Sequence, residues 1–258
     1  MTEIVAAVIN KPIWVDLSSS DPAAAREFYA KVFGWQMEVN SDPQYGGYAL
    51  ARIDGKDVAG IGPLMMPQAP TAWSVYLGTS DADELAAKVQ AAGGKLIAGP
   101  MAVGDQGRMS VYQDPAGAFI SSWQPLAMSG FLTGVAGTFG WAELNARGID
   151  KALPFYGAVF GWTPKTGPLG TDGAAYTQFQ IGDETVAGAS EMNPMVPAEV
   201  PSYWMAYFWA GDVDATYARA IEAGGREMLA PSDLPGGRLA IVADPQGAVF
   251  GLLQMRSW

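Results

Sequence analysis

The 258-residue chain repeats itself once, and the repeat leaves little freedom in what it can fold into. Trp14-Val15-Asp16-Leu17 is matched by Trp141-Ala142-Glu143-Leu144, Phe28-Tyr29 by Phe155-Tyr156, and Val32-Phe33-Gly34-Trp35 by Val159-Phe160-Gly161-Trp162, always 127 residues on. Val58-Ala59-Gly60 recurs as Val186-Ala187-Gly188 at an offset of 128, Ala92-Gly93-Gly94 as Ala223-Gly224-Gly225 at 131, and Asp114-Pro115-Ala116-Gly117-Ala118 as Asp244-Pro245-Gln246-Gly247-Ala248 at 130. One order of matches with small drifts in spacing is the mark of a duplicated domain with loop insertions. Each copy is roughly 120 residues, an ordinary domain size. Residues 10–125 and 138–258 are read as the two domains, with 131–137, behind Ser129-Gly130, as the linker.

Within one copy a second repetition is visible. Ile13 to Ser18 alternates as a strand. Asp21-Pro22 then starts a helix: the Asp side chain caps free N–H groups and Pro suits the first helical position. Ala24, Phe28 and Val32 follow at helical spacing to an end at Phe33-Gly34. Short strands are expected near Gln36–Val39, Tyr48–Ile53 and Val58–Ile61. The order recurs: a strand at Trp73–Thr79, a helix from Asp83 to Ala92 stopped by Gly93-Gly94, and strands near Lys95–Ile97, Arg108–Gln113 and Phe119–Trp123. Asp114-Pro115-Ala116-Gly117 is the tight turn between the last two. Each copy is thus two βαβββ units, and the fold class is α+β.

Composition closes off several kinds of chemistry. The chain has no cysteine and no histidine. Thiolate nucleophiles, disulfides, Ser/His/Asp systems and the commonest transition-metal ligand are therefore excluded. A net charge of −11 argues against nucleic acid and anionic membrane surfaces as partners. No GxxxxGK[ST] or SxxK pattern occurs. The start lacks the basic and long apolar stretches of a signal peptide, and no run approaches a membrane span, so the expected compartment is the cytoplasm.

The Asp21 helix with Phe28-Tyr29, the Phe33-Gly34-Trp35 exit, the Ala92-Gly93-Gly94 stop, and the Asp114-Pro115-Ala116-Gly117 turn followed by a strand and Gln124 occur together. In that order they resemble the vicinal oxygen chelate superfamily of glyoxalases, bleomycin-resistance-type proteins and extradiol dioxygenases. The tandem form resembles two-domain glyoxalase-like proteins of actinobacteria. The resemblance implies that each pair of units curls into a half-barrel cup, and that metal-dependent members hold a divalent ion with four side chains from first and last strands. Counted from Asp21, the usual first-strand His falls on Trp14, and in the second copy on Trp141. The usual last-strand Glu falls on Ser121 and Gly251; the other two positions fall on or near Gly60 and Ser74, and Gly188 and Met205. None offers an imidazole or carboxylate, so no metal and no cofactor is expected.

Strand alternation places Trp14, Asp16 and Ser18 on one face and Trp141, Glu143 and Asn145 on its counterpart. Ser74, Tyr76 and Gly78 share a face, as do Met205, Tyr207 and Trp209, while Tyr48 and Tyr176 belong to the third strands. The candidate site is thus an aromatic cup with one carboxylate per copy. Trp141, Trp209, Tyr207, Met205, Tyr176, Trp14, Tyr76 and Tyr48 are candidate ligand contacts. Glu143 and Asp16 are candidate acid or base groups, unless they serve only as partners in a hydrogen-bond network or of Arg108 and Arg238. Two functions stay open: a metal-free binding protein for a small hydrophobic or aromatic metabolite or antibiotic, and a metal-independent enzyme such as an isomerase, cyclase, lyase or hydroxylase-like protein using Asp16 or Glu143. Metal-dependent glyoxalase activity ranks far behind. A fused pair supplies internally the contacts of a dimer, so a monomer is expected.

Overall fold

The computed structural model describes residues 3–6, 8–128, 130–169 and 174–255. A short strand, β1 (Glu3–Ala6), leads into the first copy: β2 (Pro12–Ser19), α1 (Pro22–Phe33), β3 (Gln36–Val39), β4 (Ala49–Ile53), β5 (Lys56–Pro63), β6 (Ala72–Gly78), α2 (Ala82–Ala91), β7 (Lys95–Val103), β8 (Gly107–Gln113) and β9 (Phe119–Pro125). After β10 (Gly130–Thr133) the second copy runs β11 (Phe139–Ala146), α3 (Leu153–Phe160), β12 (Thr163–Leu169), β13 (Ala174–Ile181), β14 (Glu184–Glu191), β15 (Tyr203–Trp209), α4 (Val213–Glu222), β16 (Arg226–Leu234), β17 (Gly237–Ala243) and β18 (Val249–Met255). Each copy forms one eight-stranded sheet, ordered β3-β4-β5-β2-β6-β9-β8-β7 and β12-β13-β14-β11-β15-β18-β17-β16. The first strands of the two units lie side by side and antiparallel at the centre, β2 with β6 and β11 with β15.

The helix signals act as read. Asp21 accepts from the Ala24 amide at 3.0 Å, and Gly34 closes α1 in left-handed backbone at φ 74. The second copy departs here, because α3 has no side-chain cap of its own. The carboxylate of Glu191 instead accepts from the amides of Gly148 and Ile149 at 2.8 Å each, at the turn that precedes α3.

The helix-bearing sides of the two sheets face each other, with α1 against α4 and α2 against α3, and one apolar core runs through both copies. Phe33, Trp73 and Phe208 meet across this seam. Polar groups cross it reciprocally. Tyr29 donates to Asp244 at 3.1 Å, and Tyr156 donates to Asp114 at 2.8 Å. Each phenol in turn accepts an indole N–H, from Trp73 and Trp204 respectively. The Asp-Pro-x-Gly turns therefore have two duties: one oxygen of Asp114 or Asp244 holds its own turn's amides while the other meets the opposite copy. Phe28-Tyr29 and Phe155-Tyr156 pack as their spacing implies, and their hydroxyls also make these bonds.

The expectation of a plain linker over 131–137 is corrected. Gly130–Thr133 is a strand paired antiparallel with Glu3–Ala6, and Phe131 and Leu132 are buried. The flanking glycine suggested a loop, but two apolar side chains at the seam gain more from burial than a tether would. Ser129 lies outside the described residues, as do residues 256–258 at the end of the second domain.

Candidate functional site

The face of each sheet turned away from the helices carries the candidate residues. In the first cup Asp16 stands beside Gly60 on β5 and opposite Ser74 on β6. Its Oδ1 accepts from the Trp14 indole at 2.6 Å and from the Tyr48 hydroxyl at 2.7 Å, and the Tyr76 hydroxyl also bonds the carboxyl. Ser121 in turn hydrogen-bonds Tyr76. In the second cup Glu143 stands beside Gly188 and opposite Met205, with Tyr207 beside Gly251. Tyr176, Asn145 and Tyr207 hydrogen-bond its carboxyl, the Asn145 contact being long at 3.5 Å. The Trp141 indole donates to the Tyr176 hydroxyl at 3.0 Å rather than to the carboxylate.

The candidate residues gather around the two carboxyls, although Trp14 and Tyr76, 4% and 5% exposed, are also part of the main buried core. Asp16 with Trp14, Tyr48 and Tyr76 forms one constellation; Glu143 with Trp141, Tyr176 and Tyr207 forms the other. Met205 and Tyr207 join Leu253 in an apolar cluster separate from the main core, with Trp141, Tyr203, Trp209, Leu239 and Met255 packed around it. Trp209 sits at one end of this lining, over Gly140, where a Cβ would fall 2.4 Å from its ring. Tyr203 joins this lining as well; it shares the parity of Met205, so the same alternation started one step earlier includes it. Two cavities lie along the seam. One of about 240 Å³ touches Trp141 together with Lys11, Ile13, Phe131 and Phe139.

Arg108 and Arg238 do not reach the carboxylates. Arg108 pairs with Asp83 at 2.7 Å, and Arg238 with Asp214 at 2.6 Å, at exposed starts of α2 and α4. Among the described residues no cation is paired with either cup carboxyl. Burial pushes the Asp16 carboxyl above its ordinary range, against the hydrogen bonds of Tyr48, Trp14 and Tyr76. Burial likewise raises Glu143 to about 7, opposed by Tyr176, Asn145 and Tyr207. Burial next to these carboxyls drives Tyr48, Tyr76, Tyr176 and Tyr207 upward, so the phenols remain protonated donors.

A divalent metal does not fit this arrangement. The positions that the family resemblance marks for ligands hold Trp14, Gly60, Ser74 and Ser121, and Trp141, Gly188, Met205 and Gly251. The glycines are required by what has moved in. A Cβ on Gly60 would lie 1.9 Å from the Tyr48 hydroxyl and 2.1 Å from Asp16 Oδ1. On Gly188 it would lie 1.9 Å from the Tyr176 hydroxyl, and on Gly251 1.9 Å from the Tyr207 ring. Among the described residues no group of three or more His, Cys, Asp or Glu gathers to hold an ion. One carboxylate per cup is too few donors for a transition metal.

A sequence profile described as the Glyoxalase/Bleomycin resistance protein/Dioxygenase superfamily matches residues 11–121 and 138–252. The chain is 41% identical to "Anthracycline biosynthesis protein DnrV" of Streptomyces peucetius, over 95% of this chain and 93% of that protein. It is 40% identical to "Putative glyoxylase CFP32" of Mycobacterium tuberculosis, over 94% of each. Among solved structures, the Mn(II)-bound glyoxalase from Novosphingobium aromaticivorans superposes with a TM-score of 0.65 at 15% identity, over 98% of this chain and 83% of that one, a likeness of fold. Two sheets of paired βαβββ units, matched twice by one profile, place the chain in the glyoxalase/bleomycin resistance protein/dioxygenase superfamily.

Proposed function

We propose that the protein is a metal-independent binding protein for a small, flat aromatic metabolite, which it sequesters or carries in its second cup. The observation that carries this reading is the lining of that cup. Met205, Tyr207 and Leu253 form a buried apolar cluster of their own, and part-exposed Trp141, Tyr203 and Trp209 pack against it beside a single carboxyl. A broad apolar wall with few polar anchors is the composition of an organic ligand site, and indole and phenol rings favour planar partners. The 41% identity to a protein named for anthracycline biosynthesis agrees with a planar polycyclic ligand. The reciprocal seam takes the place of a dimer interface, so the chain acts as a monomer in this reading.

A second reading has one specific support. Glu143, with its carboxyl held near neutrality, is suited to take up and return a proton, so the same cup would serve a metal-independent isomerase or lyase. Glyoxalase chemistry through a metal has no such support, given the donor set.

Titration with acridone, a neutral planar tricycle, followed by quenching of tryptophan fluorescence tests the binding reading. Quenching is expected in the wild type, lost in Trp141→Ala and Trp209→Ala and kept in Trp14→Ala. Binding that survives both second-cup changes and fails with Trp14→Ala would place the ligand in the first cup. Turnover of any bound compound that stops in Glu143→Gln would favour the enzyme.

A further inference from the structure

The two cups are an internal comparison: one scaffold, two carboxylates at matched strand positions, and different company. Asp16 Oδ1 alone takes the edge N–H of Trp14 at 2.6 Å and the Tyr48 hydroxyl at 2.7 Å, with Tyr76 as a third donor. Trp14 is only 4% exposed and packs edge-on against Phe131, so that indole is built in. In the second cup the matching indole has left the carboxylate. Trp141 donates to Tyr176, and the donor that takes up part of the difference, Asn145, stands at the 3.5 Å limit of a hydrogen bond. Glu143 is also one methylene longer than Asp16, which carries its oxygens further above the sheet.

We infer that Glu143 is the acceptor that selects the ligand of the second cup, and that the ligand is a planar aromatic bearing an O–H or N–H donor on its ring edge. The inference rests on the binding reading above and adds the chemistry of the bound group. The first cup shows the mould. There, an aromatic edge donor, the Trp14 indole, lies against the carboxylate as part of the protein; in the second cup the corresponding place on the carboxylate is left to a molecule from outside. An ionised carboxylate has about four lone-pair sites, so Glu143, with three donors of which Asn145 is only at 3.5 Å, keeps room to accept a further donor. The apolar wall of Met205, Tyr207 and Leu253 strengthens such a bond by excluding water. The protonated phenols of Tyr176 and Tyr207 orient the carboxyl without neutralising it.

Isothermal titration calorimetry at pH 8 with 2-naphthol and 2-methoxynaphthalene tests this, because the two probes share one ring system and differ by the methyl group that replaces the O–H donor. In the wild type 2-naphthol is expected to bind at least about tenfold tighter, the discrimination of one well-made hydrogen bond to a charged group. Glu143→Leu should bring the two dissociation constants within about twofold, with that of 2-methoxynaphthalene nearly unchanged. Glu143→Gln, which keeps the shape and one acceptor, should fall between. Asp16→Asn should keep the wild-type ratio. A ratio that persists in both Glu143 variants, or is lost in Asp16→Asn, overturns the inference. Equal binding of both probes by the wild type overturns it while leaving the binding reading in place; binding of neither overturns both.

Discussion

The hydroxyl of Tyr29 donates to the carboxylate of Asp244 across 215 residues of chain, and the hydroxyl of Tyr156 returns the same bond to Asp114. All four residues are at most 4% exposed, so each bond is made where water cannot replace it.

Tyr29→Phe should therefore destabilise by more than the loss of one average hydrogen bond. The change removes a donor from Asp244 and an acceptor from the Trp73 indole at once. A cost of about 1–3 kcal/mol is expected for groups left unsatisfied, read from urea or thermal melts. Tyr156→Phe should cost a similar amount.

The pH dependence of stability isolates Glu143. Burial lifts its carboxyl from 4.5 to about 7, so between those values the folded protein holds a proton that the unfolded chain has released. The stability that this protonated carboxyl contributes is present in full below the lower value and is lost as pH rises through the higher. Around it stand Tyr176, Tyr203 and Tyr207, all pushed upward and neutral over this range, and the uncharged Asn145. Asp16, Asp114 and Asp244 slope the same way, so the informative quantity is the wild type minus Glu143→Gln. That difference should move against the wild type as pH rises from 4.5 toward about 7.

Gly60→Ala should disturb the first cup out of proportion to one methyl group. The added carbon would meet the Tyr48 hydroxyl and Asp16 Oδ1, both held by the network. Overpacking of this kind costs about 1–3 kcal/mol, measurable as a lowered melting temperature. Gly34→Ala makes a useful contrast: its Cβ would meet nothing within 4 Å, and its penalty is that of left-handed backbone alone.

Metal should leave the protein indifferent. A ligand that binds only the folded state raises the melting temperature, so neither EDTA nor added Zn, Ni, Mn or Fe is expected to shift it by more than about one degree. Elemental analysis finding one transition metal per cup would contradict the donor set described above.

Trp209→Ala and Trp204→Ala should part company. Trp204 is 5% exposed and donates to Tyr156 within the common core, where truncation of a large aromatic costs about 3–5 kcal/mol. Trp209 lines the second cup at its part-exposed edge, so its loss should cost clearly less stability and show instead in acridone binding.

Much of this architecture is legible in the chain itself. The repeat offsets mark the duplication and the chain order of the strands, and alternation puts Trp14 on the face of Asp16 and Trp141 on that of Glu143. What alternation does not carry is the side-chain direction within a face. That Trp141 turns to Tyr176 while Trp14 turns to Asp16 follows from the arrangement around each carboxyl, which no spacing records. The partners of Arg108 and Arg238 were hidden for a related reason. Asp83 and Asp214 are 25 and 24 residues away on neighbouring helices, and nothing local marks the pairing. The strand at Gly130–Thr133 was hidden because its partner is the other end of the domain, and the glycine before Phe131 reads locally as a loop.

A duplicated gene ordinarily leaves one copy free to decay. The crossed tyrosine–aspartate bonds withdraw that freedom from the seam while leaving it to the cups: a deletion of either half would lay the shared apolar core open to water and take from the survivor the partner of its seam aspartate, so natural selection must keep both halves folded even when only one holds a ligand. Drift is then confined to the concave faces. Related chains of this tandem type should vary most around Asp16 and Glu143 and least at Tyr29, Asp114, Tyr156 and Asp244, and new ligand preferences should arise by changing one cup while its twin serves as the brace.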